Sequence, residues 1–556
     1  MAWKPYKPWY VGALPDFSCI VNALLPFRFS LSGRTGHILI LCALYAIMLL
    51  RWGYEFGRND QMQTLAYTEF LADPSDWPND FYLQGIHEHV PNERFVFSRL
   101  WVSFAGHLDI VSLLGHAIFS LLLLHLLVSL AGEWIRYKPL QWAVTLFLFV
   151  PLYGIGLGGN ELWYNSFFVS NVVKVLGLAG LIALFRGRST LAFAAAALAT
   201  LFQPVVGIQL FGLSLAAVLW ERWRSQSGIR WRDLLAGCLL WGATAGIWVL
   251  FLKLNFEDEA LQQTDHFFDI LYVFRAPHHY WPRSWGMGTW LLESALIGFG
   301  FWWFARQARL AGEGPRGRAA RRITGLFAGG LLACGLYVLA QEFIQSASLG
   351  ALQAFKVTIW LEALSVIAVV AAVQYLFSFL GTRKWTILTG ASLGLAGLSA
   401  AAWLFLAPAS IPLSVPHDYG VSLGQDPAVA IARDAQRLTT PEALFAHPIS
   451  FTELKFHGRR SAYVDYKVLV HTRAAMHEWA RRVELLYGLQ WDRDAGTANR
   501  YDKANTHFAA LDSTDLDRLR AEGITHLLTF ADAEPPGLAD QLLVRNGVWA
   551  IYTLVP

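Results

Sequence analysis

The sequence predicts a polytopic α-helical membrane protein that carries a soluble α/β domain at its C-terminal end. Composition is the first reason. Of 556 residues, 55% are hydrophobic and only 15% charged, and a mean hydropathy of +0.38 exceeds that of a soluble chain of this size. Patterning is the second: long apolar stretches alternate with short connections that hold Lys and Arg. The third is an abrupt change past residue 407, where charges become frequent and Pro408, Pro412 and Pro416 mark an exit from the apolar part. A net charge of +3, spread through loops instead of gathered in a stripe with stacking residues, argues against a nucleic-acid partner.

Eleven stretches read as membrane segments: 36–52, 109–131, 139–157, 166–185, 190–202, 204–220, 234–253, 287–305, 323–342, 355–379 and 385–407. A crossing helix needs about 20 apolar residues, fewer where it is broken or flanked by anchoring aromatics. The fifth and sixth are short and meet at Gln203-Pro204, which predicts a helical hairpin with its tip at or below the outer surface.

Arg136 and Lys138, Arg186 and Arg188, Arg222 to Arg232, Arg306 to Arg322, and Arg383 with Lys384 occupy alternate connections. The positive-inside rule makes those cytoplasmic. The remaining connections, 53–108, 158–165, the Gln203 tip, 254–286 and 343–354, then face outward together with the tail. This predicts a multi-pass protein of the inner membrane, residues 1–407, with a periplasmic domain at 408–556. The residues before the first stretch carry charge and proline without a compact apolar run, so no cleaved signal peptide is expected. No Asn-x-Ser/Thr sequon occurs, which points to a bacterial chain. Cys19, Cys42, Cys238 and Cys334 all avoid the tail, and no disulfide is expected.

Within the tail, 443–445, 461–465 and 525–530 have strand length and composition. The stretches 473–487 and 513–522 have helical patterns, the second with Ser513 and Asp515 near its start. A small α/β domain follows.

The polar clusters all fall on the outward side. Asp60, in Arg58-Asn59-Asp60-Gln61, sits about one turn past the first span. There a carboxylate is either a solvated helix-end group or a base held at the bilayer boundary and partly desolvated. His87-Glu88-His89 puts two imidazoles on one side only in a strand, which leaves hydrogen bonding to a hydroxylated substrate or plain loop structure ahead of metal binding. Asn160, Glu161, Trp163 and Tyr164 combine amide, acid and rings in the way a sugar requires, or form an interfacial aromatic belt. Gln203 needs water, a neighbouring helix or a substrate as partner. Arg275, His278, His279, Tyr280 and Arg283 suit a phosphate with an attached sugar, or lie on headgroups. Lys356, just after a short outer connection, snorkels outward as an anchor or neutralises a lipid phosphate.

The combination resembles the GT-C superfamily of membrane glycosyltransferases, in an uncharacterised bacterial branch. The resemblance is carried by Asn59-Asp60, the Phe202-Gln203-Pro204-Val205-Val206-Gly207 tip, the stretch from Arg275 to Pro282, and Arg459-Arg460-Ser461-Ala462-Tyr463-Val464-Asp465-Tyr466-Lys467 in the tail. It implies a GT-C-like core and transfer of a sugar from a polyprenyl-phosphate donor to an acceptor hydroxyl, in envelope or exopolysaccharide biosynthesis. By resemblance Asp60 is the base and Lys356 and Arg275 engage the carrier phosphate. Asn59, His87, His89, Asn160, Glu161, Gln203, His278 and His279 remain as substrate-binding candidates. Asn59-Asp60 supplies one acid where a metal-dependent D-x-D supplies two, so no cofactor is expected, a divalent metal included. The acceptor, whether glycan, lipid or protein, stays open. A non-catalytic subunit of a polysaccharide-assembly complex is the second reading, and a lipid or sugar transporter the third.

Overall fold

The computed structural model describes residues 33–150, 152, 154, 156–224, 229–255, 266–378, 426–495 and 500–554. The stretch predicted at 385–407, the three prolines at the start of the tail and Cys19 lie outside the described residues.

Six helices are long and apolar enough to cross a membrane: Arg34–Trp52, Leu108–Gly132, Pro204–Arg224, Trp231–Asn255, Pro315–Ile344 and Ala347–Leu376. Val169–Phe185 and Ser189–Phe202 are shorter apolar helices beside them. The architecture is thus helical and multi-pass, while the count of eleven is not reproduced. The predicted segment 139–157 yields only the twelve-residue helix Lys138–Phe149, which ends at its C-cap Val150. In the 190–220 hairpin the second arm is longer than expected and runs to Arg224, reaching full crossing length. Ala347–Leu376 is broken after its first turn by the left-handed residue Gln353, and left-handed Gln345 separates it from the helix before. A π turn, Gly242–Gly246, interrupts Trp231–Asn255 where Thr244 donates its hydroxyl back to the Leu240 carbonyl at 2.8 Å.

Packing follows the absence of water. Leu235, Leu239, Leu250 and Leu254 point outward from one helix, the lipid-facing pattern. Inside, Trp360 fills the notch at Gly177, where a Cβ would lie 2.6 Å from its ring. Arg322 closes the other end of the bundle with a buried pair to Glu221 at 2.7 Å, and donates to the Leu184 and Phe185 carbonyls that end the helix Val169–Phe185.

The tail forms a five-stranded mixed sheet. β1 (Leu444–Ala446), β2 (Ser461–Ala462), β3 (His526–Phe530), β4 (Leu542–Arg545) and β5 (Trp549–Thr553) lie in the order β2-β1-β3-β5-β4. The first three strands pair in parallel, and the last two join antiparallel. Arg473–Tyr487 and Ser513–Ala521 are helices at the expected positions, the second capped reciprocally by Asp512 and Asp515. Helices Pro427–Leu438 and Arg500–Ala509 and strands β4 and β5 add to what the sequence announces.

The tail does not stand apart from the helical part. Residues 53–108 are folded rather than a loop, with helices at Leu65–Ala72, Phe81–Glu88 and Phe95–Trp101. Tyr67, Phe70, Trp77 and Tyr82 share a core with Val468 and Val470 of the tail. Ile270, Leu271 and Phe274 share another with Tyr466, Trp479 and Tyr487. Between the two parts Lys455 is fully buried, bonded to Asp80 and lying 3.0 Å from Asp465. Asp80 also accepts from the Leu83 and Ala462 amides, so its lone pairs are filled on both sides of the seam.

Candidate functional site

A cavity of about 1360 Å³ lies where the first folded connection, the 158–165 turn, the hairpin tip, residues 266–280, the broken start of the last described crossing helix and the tail converge. Asp60, Asn160, Glu161, Gln203, Arg275, His278, His279 and Lys356 all line it. Asn59, His87 and His89 do not.

Asp60 belongs to a 3-10 turn, Asn59–Gln63, that buries Gln61 and Met62 and turns the acid outward. Asp60 is exposed in the cavity. The turn is fixed from below and behind. Gln61 accepts from the Gly57 amide at 2.8 Å and donates to the Phe167 carbonyl at 2.8 Å. Asn59 adopts a left-handed backbone, φ 51°, and is committed to holding the turn. Its amide donates to Thr452 Oγ1 at 3.2 Å, its side-chain NH₂ donates to Glu55 at 2.8 Å, and its side-chain carbonyl accepts from Lys467 at 3.0 Å.

His87 lies in the helix Phe81–Glu88 and His89 caps it, so the strand geometry that would aim both rings one way does not occur. The His87 ring packs on Phe70, and His89 exchanges bonds with Asn255.

The facing walls are built by close backbone approach. Gly158 and Gly159 have φ of 74° and 59°; a Cβ on Gly158 would lie 2.8 Å from Asn160 Nδ2, and one on Gly159 3.3 Å from the His279 ring. Asn160 donates to the Leu157 carbonyl at 3.2 Å, closing the turn. His279 bonds the Gly158 carbonyl through Nδ1 at 2.8 Å, which fixes that nitrogen as the donor, and its ring meets that of His278 at 4.0 Å. Burial first, then the neighbouring His279 and Arg275 charges, pushes His278 down to about 3, against a weak opposing pull from Asp60. Burial likewise takes His279 down to about 4. Both are neutral at pH 7. Gln209 donates to the Leu352 and Gln353 carbonyls, and Gln353 bonds the Tyr280 hydroxyl, so the turn carrying Lys356 is tied to the 277–280 wall.

The cavity is strongly cationic. Arg94, Lys174, Lys253, Arg275, Lys356, Lys467 and Arg473 line it against the acids Asp60, Glu93 and Glu161. Glu93 is bonded to Arg94. Burial pushes its carboxyl up, but the Arg94 and His471 charges outweigh that and hold it at about 2. Arg275 donates Nε to the Tyr466 carbonyl at 2.6 Å and Nη2 to the Lys467 carbonyl at 2.9 Å. Those bonds spend much of the guanidinium on the tail backbone, which reduces what it can offer a ligand.

Lys174 was not among the sequence candidates. It is 3% exposed, its ammonium sits 3.6 Å from the Tyr164 ring centre, and Nζ has no hydrogen-bond partner among the described residues. The signal was available, since a lysine inside an apolar stretch is costly enough to imply a use. The Gln203 side-chain oxygen is likewise buried without a partner among the described residues, and Gln203 lines the same space. A third such group lies deeper: Glu293, within the predicted span 287–305, is fully buried with neither carboxylate oxygen bonded among the described residues.

The family described as Domain of unknown function (DUF6798) matches residues 427–486. The matched stretch holds Thr452, Lys455, Arg459 and Lys467, which bond to Asn59, Asp80 and Glu69 of the first folded connection. No curated protein matches the chain.

Proposed function

We propose that the chain is a glycosyltransferase of GT-C type, moving a sugar from a polyprenyl-phosphate donor to an acceptor hydroxyl, in the inner membrane with the tail on the outer face. One observation carries the reading: a single cavity gathers an exposed acid, Asp60, with an excess of cations, two of them the lysines Lys174 and Lys356. Such a site suits an anionic leaving group on one side and a hydroxyl to be deprotonated on the other. Phe202, Val205, Val206 and Ile359 line the same space and give an isoprenoid chain apolar surface to pack on.

In the proposed reaction Asp60 takes the acceptor proton while the acceptor oxygen attacks the anomeric carbon from the face opposite the phosphate. The bond from that carbon to the phosphate oxygen breaks, and its electron pair leaves with the polyprenyl phosphate. Lys174 and Lys356 offset the charge that builds there, with Arg275 contributing its remaining edge. The configuration at the anomeric carbon inverts. Neutral His278 and His279 and the Asn160 and Gln203 amides offer donors and acceptors to sugar hydroxyls.

The test is transfer from a radiolabelled polyprenyl-phosphate sugar in membrane vesicles carrying the wild-type chain or Asp60→Asn. Transfer that depends on Asp60 supports the reading. Transfer by both forms removes the base, and transfer by neither, with the envelope phenotype of a deletion rescued by Asp60→Asn, supports the non-catalytic subunit.

A further inference from the structure

At the end of the bundle away from the first cavity lies a second one, of about 670 Å³. The two are separated along the helix Val169–Phe185: Lys174 faces the first and Phe185 the second, roughly 16 Å apart at 1.5 Å per residue. They cannot share a small headgroup.

Five arginines line the second cavity, Arg186, Arg230, Arg316, Arg318 and Arg322, against Glu133 and Asp233. The acids are already spoken for. Glu133 pairs with Arg186 at 2.7 Å, Asp233 pairs with Arg230 at 3.2 Å and Arg232 at 3.5 Å, and Arg322 is satisfied by Glu221. Among the described residues, Arg316 and Arg318 make no ion pair. Arg318 donates to the Glu313 carbonyl at 2.6 Å, and the Arg316 guanidinium lies 5.2 Å from the Trp134 ring centre.

These two cations stand in the first turn of the helix Pro315–Leu339. That turn holds no acidic residue, and Gly314 before it supplies no capping side chain. A helix N-terminus already carries partial positive charge, so both arginines stand against the helix pole. An anion in the cavity they line reverses the sign of those interactions. Guanidinium forks select oxyanions with paired acceptor oxygens, and Trp134, 4% exposed, gives the cavity an aromatic floor against which Arg316 is oriented.

We propose that this cavity is a second anion site that binds a phosphate group, held by Arg316 and Arg318, and separate from the cationic cavity beside Asp60. The phosphate comes either from an anionic lipid headgroup or from a soluble phosphate, and one experiment distinguishes them. The full chain, purified in detergent, carries Lys174→Gln and Lys356→Gln, which removes from the first cavity the two lysines proposed to hold phosphate, and this background is the reference for every comparison. Phosphatidylglycerol retention, with phosphatidylcholine as reference, is read by native mass spectrometry, and inorganic pyrophosphate binding by calorimetry. Adding Arg316→Gln and Arg318→Gln is expected to weaken one of the two by about tenfold or more. Loss of phosphatidylglycerol alone identifies a lipid headgroup, and loss of pyrophosphate alone a soluble phosphate. If the double change prevents a monodisperse preparation, Arg316→Gln alone, at an exposed position, is expected to weaken the same ligand by about threefold. Unchanged affinity for both probes, or binding of neither before the arginines are changed, overturns the proposal.

Discussion

Lys467 donates to the side-chain carbonyl of Asn59 across 3.0 Å, and through that bond the tail grips the residue immediately before Asp60. Asn59 holds a left-handed conformation that non-glycine residues seldom adopt, and asparagine tolerates it because its side chain bonds locally. The direction in which Asp60 points is therefore set by a residue 408 positions away from Asn59.

Asp60 and Lys467 are expected to separate chemistry from positioning. Asp60→Asn should lower transfer by roughly a hundredfold to ten-thousandfold, the range a general base supplies, without changing donor affinity. Lys467→Met should lower transfer less while loosening the Asn59 turn, seen as faster hydrogen exchange at Gln61. Equal transfer by Asp60→Asn and the wild type would remove the acid from the reaction.

Lys174→Met should leave the chain as stable as before, or more so, because an unbonded buried ammonium is replaced by an apolar chain of similar length. Donor binding should fall by about tenfold, the worth of one charge-assisted bond to phosphate. Thermal unfolding and donor titration on the same preparation check the two halves. A large loss of stability with donor affinity intact would make Lys174 structural.

Asp80→Ala should be among the most damaging single changes in the tail seam. It leaves Lys455 buried with Asp465 as its remaining acid and unbonds the Leu83 and Ala462 amides. Breaking one partner of a buried ion pair costs about 3–5 kcal/mol. Limited proteolysis of residues 53–108 in membranes is the readout. The paired change Asp80→Leu with Lys455→Met should recover part of the protection, because it removes both charges together.

Acidification should destabilise the assembly of the tail with the cavity walls between about pH 6.5 and pH 4. Burial lowers His457 and His279 to about 4 and His278 to about 3, whereas the unfolded chain titrates near the ordinary histidine value of about 6.5. Across that window the unfolded state takes up protons the folded state refuses, so stability falls as pH falls. His457, 7% exposed, contributes about 3 kcal/mol of this. The carboxyls of Glu93 and Asp465, held at about 2, add a further loss only below the usual carboxylate range. Unfolding followed at pH 7, 5.5 and 4.5 tests the sign; stability that rises on acidification would contradict it.

Sequence periodicity made the helical, multi-pass class legible because lipid demands long apolar runs and water tolerates few. Crossing length was less legible. The run 139–157 is largely apolar, yet its helix stops at Phe149, since apolarity does not record where a helix ends. In the cavity, Asp60, Gln203 and Lys356 were legible as polar residues at the ends of apolar runs. Arg275 was legible as a cation, but not that its guanidinium would be turned onto the Tyr466 and Lys467 carbonyls, a long-range contact no local pattern carries. His87 and His89 misled because a His-x-His spacing has different meanings in a strand and in a helix.

Asp80 and Lys455 stand 375 positions apart in the chain. During synthesis the first connection therefore waits, with its acid lacking a cation, until nearly all the crossing helices have been inserted and the tail has been delivered to the same side. A chain stopped before the tail would hold the membrane helices that wall the cavity but lack both the tail residues that line it, Arg473 and Tyr501 among them, and the clamp on the Asp60 turn. Assembly of the site in this sense follows insertion of the helices that wall it, and it reports that the tail has reached the same side.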